Sequence, residues 1–295
     1  SPERTSRRLH FPPALALVCC EALSGDFRAA LPAASAIELV YNFTLVHADV
    51  QAGTPDRQER PNIWWVWGPA QAINAGDGLH ALGRVSVMRL DQRGVPAARV
   101  LRGVAALDQA CLTLCEGQYL DLNFQDQLMV TSGDFYEMLR RKAGALPGCA
   151  AELGALAAGA DDAACSKLHG VGSKLGMAWQ IAQDTAELWG QGGDGMTVGN
   201  MLNKKKSLPL IYVLETASPS TKRELGTIYM KRVLEPQDVS RIIDILDQAG
   251  ARQYAEGKAR ELVEQGMAAV EDIGLPPEGS ELFRQVAEAA LGSHP

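Results

Sequence analysis

Apolar residues along this 295-residue chain recur with the period of a helix. From Ile37 to Leu45 the apolar or small positions are Ile37, Val40, Tyr41, Thr44 and Leu45, the i, i+3, i+4, i+7, i+8 stripe of one helix face. Leu107, Ala110, Cys111, Leu114 and Cys115 repeat the stripe and predict a helix through Asp108–Leu122. Val239–Leu246 and Ala255–Val270 predict two amphipathic helices near the C-terminus. Ser220 followed by Glu224 reads as a capped helix start. Breakers fall between the helix-length stretches: Gly53-Thr54-Pro55-Asp56, Arg93-Gly94-Val95-Pro96, Leu146-Pro147-Gly148, Gly190–Gly195, Ser218-Pro219-Ser220 and Leu275-Pro276-Pro277. No repeat, low-complexity tract or shift in composition marks a domain boundary, so one domain over 1–295 is expected.

Composition supports an all-α fold. The chain has 42 alanines, the best helix formers, while aromatics are only 6%, too few for a typical sandwich or barrel. A 46% hydrophobic, 21% charged balance excludes wholesale disorder. A net charge of −7 argues against a general binder of nucleic acid or anionic membrane. No unbroken run of about 18 apolar residues predicts a transmembrane segment. The N-terminal Ser1-Pro2-Glu3-Arg4 lacks an apolar signal core. Cys19, Cys20, Cys111, Cys115, Cys149 and Cys165 show no CxxC spacing. Cys111 and Cys115 share a helix face, but two ligands do not make a zinc site. They read as reduced thiols of a cytoplasmic protein, with Cys19 and Cys20 in the core.

Seven blocks occur in one order along residues 7–215. They are Arg7-Arg8-Leu9-His10-Phe11-Pro12-Pro13; Leu45-Val46-His47-Ala48-Asp49-Val50-Gln51-Ala52; Arg57-Gln58-Glu59-Arg60-Pro61; Trp67-Gly68 with Ala72-Ile73-Asn74-Ala75-Gly76-Asp77; Glu116-Gly117-Gln118; Arg140-Arg141-Lys142; and Gly176–Glu187 followed by Lys204-Lys205-Lys206. Together they resemble the trans-isoprenyl diphosphate synthase (polyprenyl synthetase) family. The resemblance implies a helical bundle around a deep apolar cavity, usually dimeric. It also implies joining of an allylic diphosphate to isopentenyl diphosphate. Family members carry further helices ahead of the first block, where this chain has six residues.

That chemistry leaves an allylic cation and a highly charged diphosphate, which the family neutralises with a magnesium cluster between two Asp-rich DDxxD segments. Carboxylates suit Mg²⁺ because it wants hard oxygen ligands, and positions i and i+4 share a helix face. Here both segments are altered. The first reads Ala48-Asp49-Val50-Gln51-Ala52, so its i, i+4 pair has no oxygen, and Asp49 lies about 100° around the helix from Ala48. The second reads Gln183-Asp184-Thr185-Ala186-Glu187, with an amide in the leading place. Asp184 and Glu187 remain as weak metal candidates, and Mg²⁺ is expected to bind weakly if at all. Losing a cation that offsets leaving-group charge costs on the order of 10³-fold in rate.

The resemblance assigns diphosphate contacts to Arg7, Arg8, Arg57, Arg60, Lys142, Gln180 and Lys205, which can attract phosphate without metal. Tyr41 stands where the family often has a His, and Met196 where it has a Lys. Phe43 and Thr44 hold the positions that limit chain length in the family, so a bound prenyl chain should be short, roughly C10 to C20. Taken singly, each charge reads first as a solvated surface group. His47 reads as a packed residue rather than a ligand or base. His10 and His80 have no legible partner, and His169 and His294 carry no signal. Trp64, Trp65 and Trp67 read as core or dimer packing rather than a cation-holding box.

The expected function is a prenyl diphosphate-binding, non-catalytic or regulatory subunit, as a homodimer or paired with an active synthase. The alternative is an active prenyltransferase or terpene cyclase with altered metal use.

Overall fold

The computed structural model describes residues 10–57, 60–127, 129–189, 205–231 and 234–292. Nearly all of them are helical, as the periodicity and alanine content require. The helices are α1 (Phe11–Ser24), α2 (Leu31–Ala52), the five-residue α3 (Ile63–Trp67), α4 (Pro69–Met88), α5 (Ala97–Gln125), α6 (Ser132–Leu139), α7 (Ala145–Ala157) and α8 (Asp162–Trp189). They continue as α9 (Leu208–Thr216), α10 (Pro219–Tyr229), α11 (Pro236–Gln248), α12 (Ala251–Glu271) and α13 (Pro277–Ala290). A two-residue antiparallel pair, β1 (Asp56–Arg57) and β2 (Arg60–Pro61), follows α2.

Several prolines that punctuate the sequence open helices. Proline stands in the first turn of α1, α2, α4, α9, α10, α11 and α13, where its missing N–H would be unpaired anyway. Pro147 corrects the expectation of a break at Leu146-Pro147-Gly148. Helix α7 runs through it as the continuation of one helical stretch from α6 by way of a π-helical turn, Arg140–Gly144. That wider turn just before the proline relaxes the i to i−4 register that Pro147 would otherwise break. The helix start expected at Ser220 lies two residues earlier, where the Ser218 hydroxyl accepts from the Thr221 N–H. The predicted Gly190–Gly195 break lies outside the described residues.

The central helix is α7. It is buried on all sides from Ala145 to Leu156 except at Glu152, and packs against α1, α5 and α8. Its small residues allow this close approach; a Cβ on Gly172 of α8 would lie 2.9 Å from the Ala151 Cβ. Helix α8 lies between α7 and α12, and α2 lies against α4. The core joins Phe11, Ile37, Leu107, Leu153, Leu175 and Phe283, among others; a smaller cluster binds α9, α10 and α11 through Val213, Leu225 and Ile242.

The stretch Phe27–Ala52 is long and apolar enough to cross a membrane by length and composition. This qualifies the expectation from sequence. The stretch packs against α1, α4 and α7, with 33% of the apolar window buried within the chain. The six cysteines are free; five are buried, including Cys19 and Cys20, while Cys115 is exposed. Core packing is overturned for Trp65 and Trp67, which are 62% and 72% exposed because α3 packs on α4 and α2 and no other described element covers these side chains. Trp64 donates its indole N–H to the Thr54 carbonyl at 2.7 Å.

Candidate functional site

Helix α5 carries Gln118 and Asp121 three residues apart, on one face. Gln118 donates to the Gln51 side chain at 2.8 Å, which fixes the end of α2 beside α5. Asp121 is 4% exposed and accepts from the Lys142 ammonium. Lys142 reaches inward from a π-helical turn, Arg140–Gly144, between α6 and α7. Such wide turns re-aim a side chain out of the ordinary helical register. The turn can lie flat on α5 because Gly117 has no side chain there.

A second lysine–carboxylate pair adjoins the first. Asp184 of α8 is 7% exposed. It accepts from Lys205 Nζ at 2.8 Å and from Gln180 Nε2, one turn earlier, also at 2.8 Å. Burial alone would lower the pKa of the Lys205 ammonium. The carboxylates of Asp184 and Asp121, with a smaller contribution from Glu187, outweigh it and hold the pKa above the ordinary lysine value. Lys142, Asp121, Lys205 and Asp184 therefore form one electrostatically linked tetrad. Asp121 Oδ1 within it is buried and accepts no hydrogen bond from the described residues.

Aromatic stacking sets the neighbouring wall. Trp179 of α8 stacks on Phe11 of α1 at 5.3 Å and meets Tyr41 of α2 at 6.2 Å. His10 pairs with Glu38 at 3.0 Å, a partner that lay 28 residues away in the chain. On the opposite side of α2, Phe43 packs its ring against His47 at 4.7 Å and His80 at 5.4 Å. The His47 ring lies against Gly76 and donates from Nε2 to the Ile73 carbonyl at 3.1 Å, so it is a packed residue. Thr44 donates its hydroxyl to the Tyr41 carbonyl of its own helix at 2.7 Å.

Of the residues singled out from sequence, Lys142, Lys205, Asp184 and Gln180 come together. Arg60 is exposed in the hairpin, its backbone paired with that of Arg57, and stands outside the buried tetrad. Arg7 and Arg8 lie outside the described residues, as do Gln58, Glu59, Met196, Lys204 and His294. Asp49 is 8% exposed while Ala52 faces solvent and Ala48 is half-buried, so the remaining carboxylate of the first segment is turned away from the open face. Asp121 was missed. Its signal was present as an i, i+3 partner of Gln118, but nothing in the sequence says which lysine it meets.

The donor set does not fit a magnesium cluster. Ala48 and Ala52 offer methyl groups, Gln183 offers an amide, and Asp184 is already held by an ammonium and an amide. Asp121 Oδ1 is one open oxygen, whereas Mg²⁺ needs octahedral oxygen coordination. Among the described residues no group of three or more His, Cys, Asp or Glu side chains is placed to hold a metal ion. The arrangement is instead suited to receiving phosphate oxygens on fixed ammonium groups.

Comparison with known proteins agrees with the fold. The polyprenyl synthetase family profile matches residues 10–246. A geranylgeranyl diphosphate synthase from Mycobacterium tuberculosis is 36% identical over 272 residues, covering 91% of this chain and 76% of that protein. A geranylgeranyl pyrophosphate synthase from Geoglobus acetivorans is 34% identical, covering 90% of this chain and 81% of its own length. The crystal structure of a polyprenyl synthetase from Streptomyces coelicolor superposes with a TM-score of 0.87 at 29% identity, covering 95% of this chain and 84% of that one.

Proposed function

The chain belongs to the polyprenyl synthetase family, and from that premise we propose that it is a prenyltransferase of isoprenoid biosynthesis. It acts on a short allylic diphosphate with altered use of divalent cations. The observation that carries this reading is the tetrad, in which two lysines are held in place by buried carboxylates beside Gln180. The names of its relatives, geranylgeranyl and farnesyl diphosphate synthases, support the same class. In the reaction the allylic C–O bond breaks and its electron pair leaves with the diphosphate. The double bond of isopentenyl diphosphate then attacks the allylic carbon and a proton departs. Lys142 and Lys205 would bind the diphosphate oxygens and offset the charge that develops there. Phe43 and Thr44 would bound the prenyl chain.

A second reading, a non-catalytic or regulatory subunit, is favoured by Ala48, Ala52 and Gln183, which remove three carboxylates. Either form would be dimeric. Leu82, Val85 and Met88 of α4 with Leu101, Leu112 and Tyr119 of α5 expose a broad apolar surface. A cytoplasmic location is consistent with six free thiols.

Incubation with isopentenyl diphosphate and C5 to C20 allylic diphosphates, followed by product chromatography, decides between the readings. An elongated product supports the prenyltransferase. Binding without product supports the subunit, and a hydrocarbon or alcohol from one allylic diphosphate alone supports a cyclase.

A further inference from the structure

We propose that the ammonium groups of Lys142 and Lys205 take the electrostatic place of divalent cations in this cleft, so that a prenyl diphosphate is bound without Mg²⁺. The inference rests on the prenyl diphosphate reading above and concerns how that ligand is held.

Two acidic side chains of the cleft, Asp184 and Asp121, are already occupied by built-in cations. Asp184 has Lys205 on Oδ1 at 2.8 Å, and Asp121 has Lys142 on Oδ2. A dication that took either carboxylate would have to displace an ammonium and sit beside it. For Lys205, only 20% exposed, this would press two like charges together in poorly solvated surroundings. A diphosphate meets the opposite situation. Each lysine has three N–H donors, and the carboxylate uses one. The remaining donors can turn to phosphate oxygens while the carboxylate keeps the ammonium in place. Gln180 joins the network through its bond to Asp184 and restrains that carboxylate's orientation. The substitutions at Ala48, Ala52 and Gln183 complete the argument, because metal ligands are missing on both helices while the lysines are kept.

The test is calorimetric titration of the full chain with farnesyl S-thiolodiphosphate, which resists cleavage, in excess EDTA and again in excess Mg²⁺. The expected dissociation constants agree within about threefold, since no step of binding awaits a metal. K205Q should weaken binding at least about tenfold in both media, as loss of a charge-assisted contact requires. Should K205Q fold poorly, K142Q gives the same readout. D184N, which loosens the seat of Lys205, should weaken binding by the same factor in EDTA and in Mg²⁺, because Asp184 positions the lysine and does not bridge a metal. Binding that falls tenfold or more in EDTA, or that D184N abolishes only when Mg²⁺ is present, overturns the inference and leaves the ligand assignment standing. Absence of binding in both media overturns the prenyl diphosphate reading and this inference with it.

Discussion

Gly117 of α5 leaves the space that the main chain of Lys142 occupies. A Cβ on Gly117 would lie 2.7 Å from the Lys142 Cα and 2.8 Å from the Arg141 carbonyl carbon. Neither atom belongs to a flexible side chain, so the contact can be relieved only by moving the π-helical turn off α5. Gly117→Ala should cost about 1–3 kcal/mol of stability and weaken prenyl diphosphate binding by shifting Lys142. Thermal unfolding and ligand titration of the same variant check this; unchanged values in both would show that the turn has more freedom than the packing implies.

Restoring the missing carboxylates tests the metal argument from the other side. The triple variant Ala48→Asp, Ala52→Asp, Gln183→Asp should bind Mg²⁺ more tightly than the parent by an order of magnitude or more, roughly the worth of added charged ligands in a cleft. Titration with Mg²⁺ alone reads the change. If affinity is unaltered, the ends of α2 and α8 do not converge on a common ion.

Phe43 is wedged between His47 and His80 on the side of α2 that faces α4. Phe43→Ala opens that position and should shift preference toward prenyl chains one isoprene unit or more longer. Comparing affinities, or products if turnover occurs, across C10 to C25 diphosphates measures it. A preference unmoved by the truncation would mean that the chain runs elsewhere. Loss of the half-buried ring should also cost about 1–3 kcal/mol of stability, so binding is compared well below the unfolding temperature.

Away from the cleft, Glu152 interrupts the apolar length of α7. It accepts from His169 at 3.0 Å and pairs with Arg102 at 3.4 Å. The His169 hydrogen bond, opposed by burial and helped by Arg102, holds its pKa below the ordinary glutamate value of 4.5. A carboxylate whose folded pKa is depressed stabilises above its unfolded value and loses that contribution as pH falls through the folded one. Glu152→Gln should therefore lower the melting temperature at pH 7, by about 1–3 kcal/mol of stability. The difference from the parent should shrink as the pH is taken below about 4.5. A gap that stays constant into acid would assign the effect to packing rather than charge.

Leu112 is 62% exposed near the middle of the apolar surface on α4 and α5. If that surface joins two copies, Leu112→Glu places a charge in the contact and should yield a monomer on sedimentation velocity, with dimer affinity reduced at least about tenfold. A parent chain that sediments as a monomer removes the dimer from the account.

The amino-acid sequence by itself determined the helical class, because period and alanine content act locally, through backbone geometry and propensity. It also showed that Ala48, Ala52 and Gln183 bring no carboxylate to the places where the resemblance expects one. It misread Pro147 as a break, because the π-helical turn just before it, which lets the helix continue, leaves no local mark in the sequence. Partnerships across the bundle were left to the tertiary structure. The pairs His10–Glu38, Lys142–Asp121 and Lys205–Asp184 join residues 28, 21 and 21 positions apart. Only packing of α5 on the π-helical turn and of α8 near residue 205 brings such groups within hydrogen-bond reach. The exposed Trp65 and Trp67 make the same point in reverse: apolar character is written locally, but burial requires a neighbour, and within one chain α3 lacks one for that face.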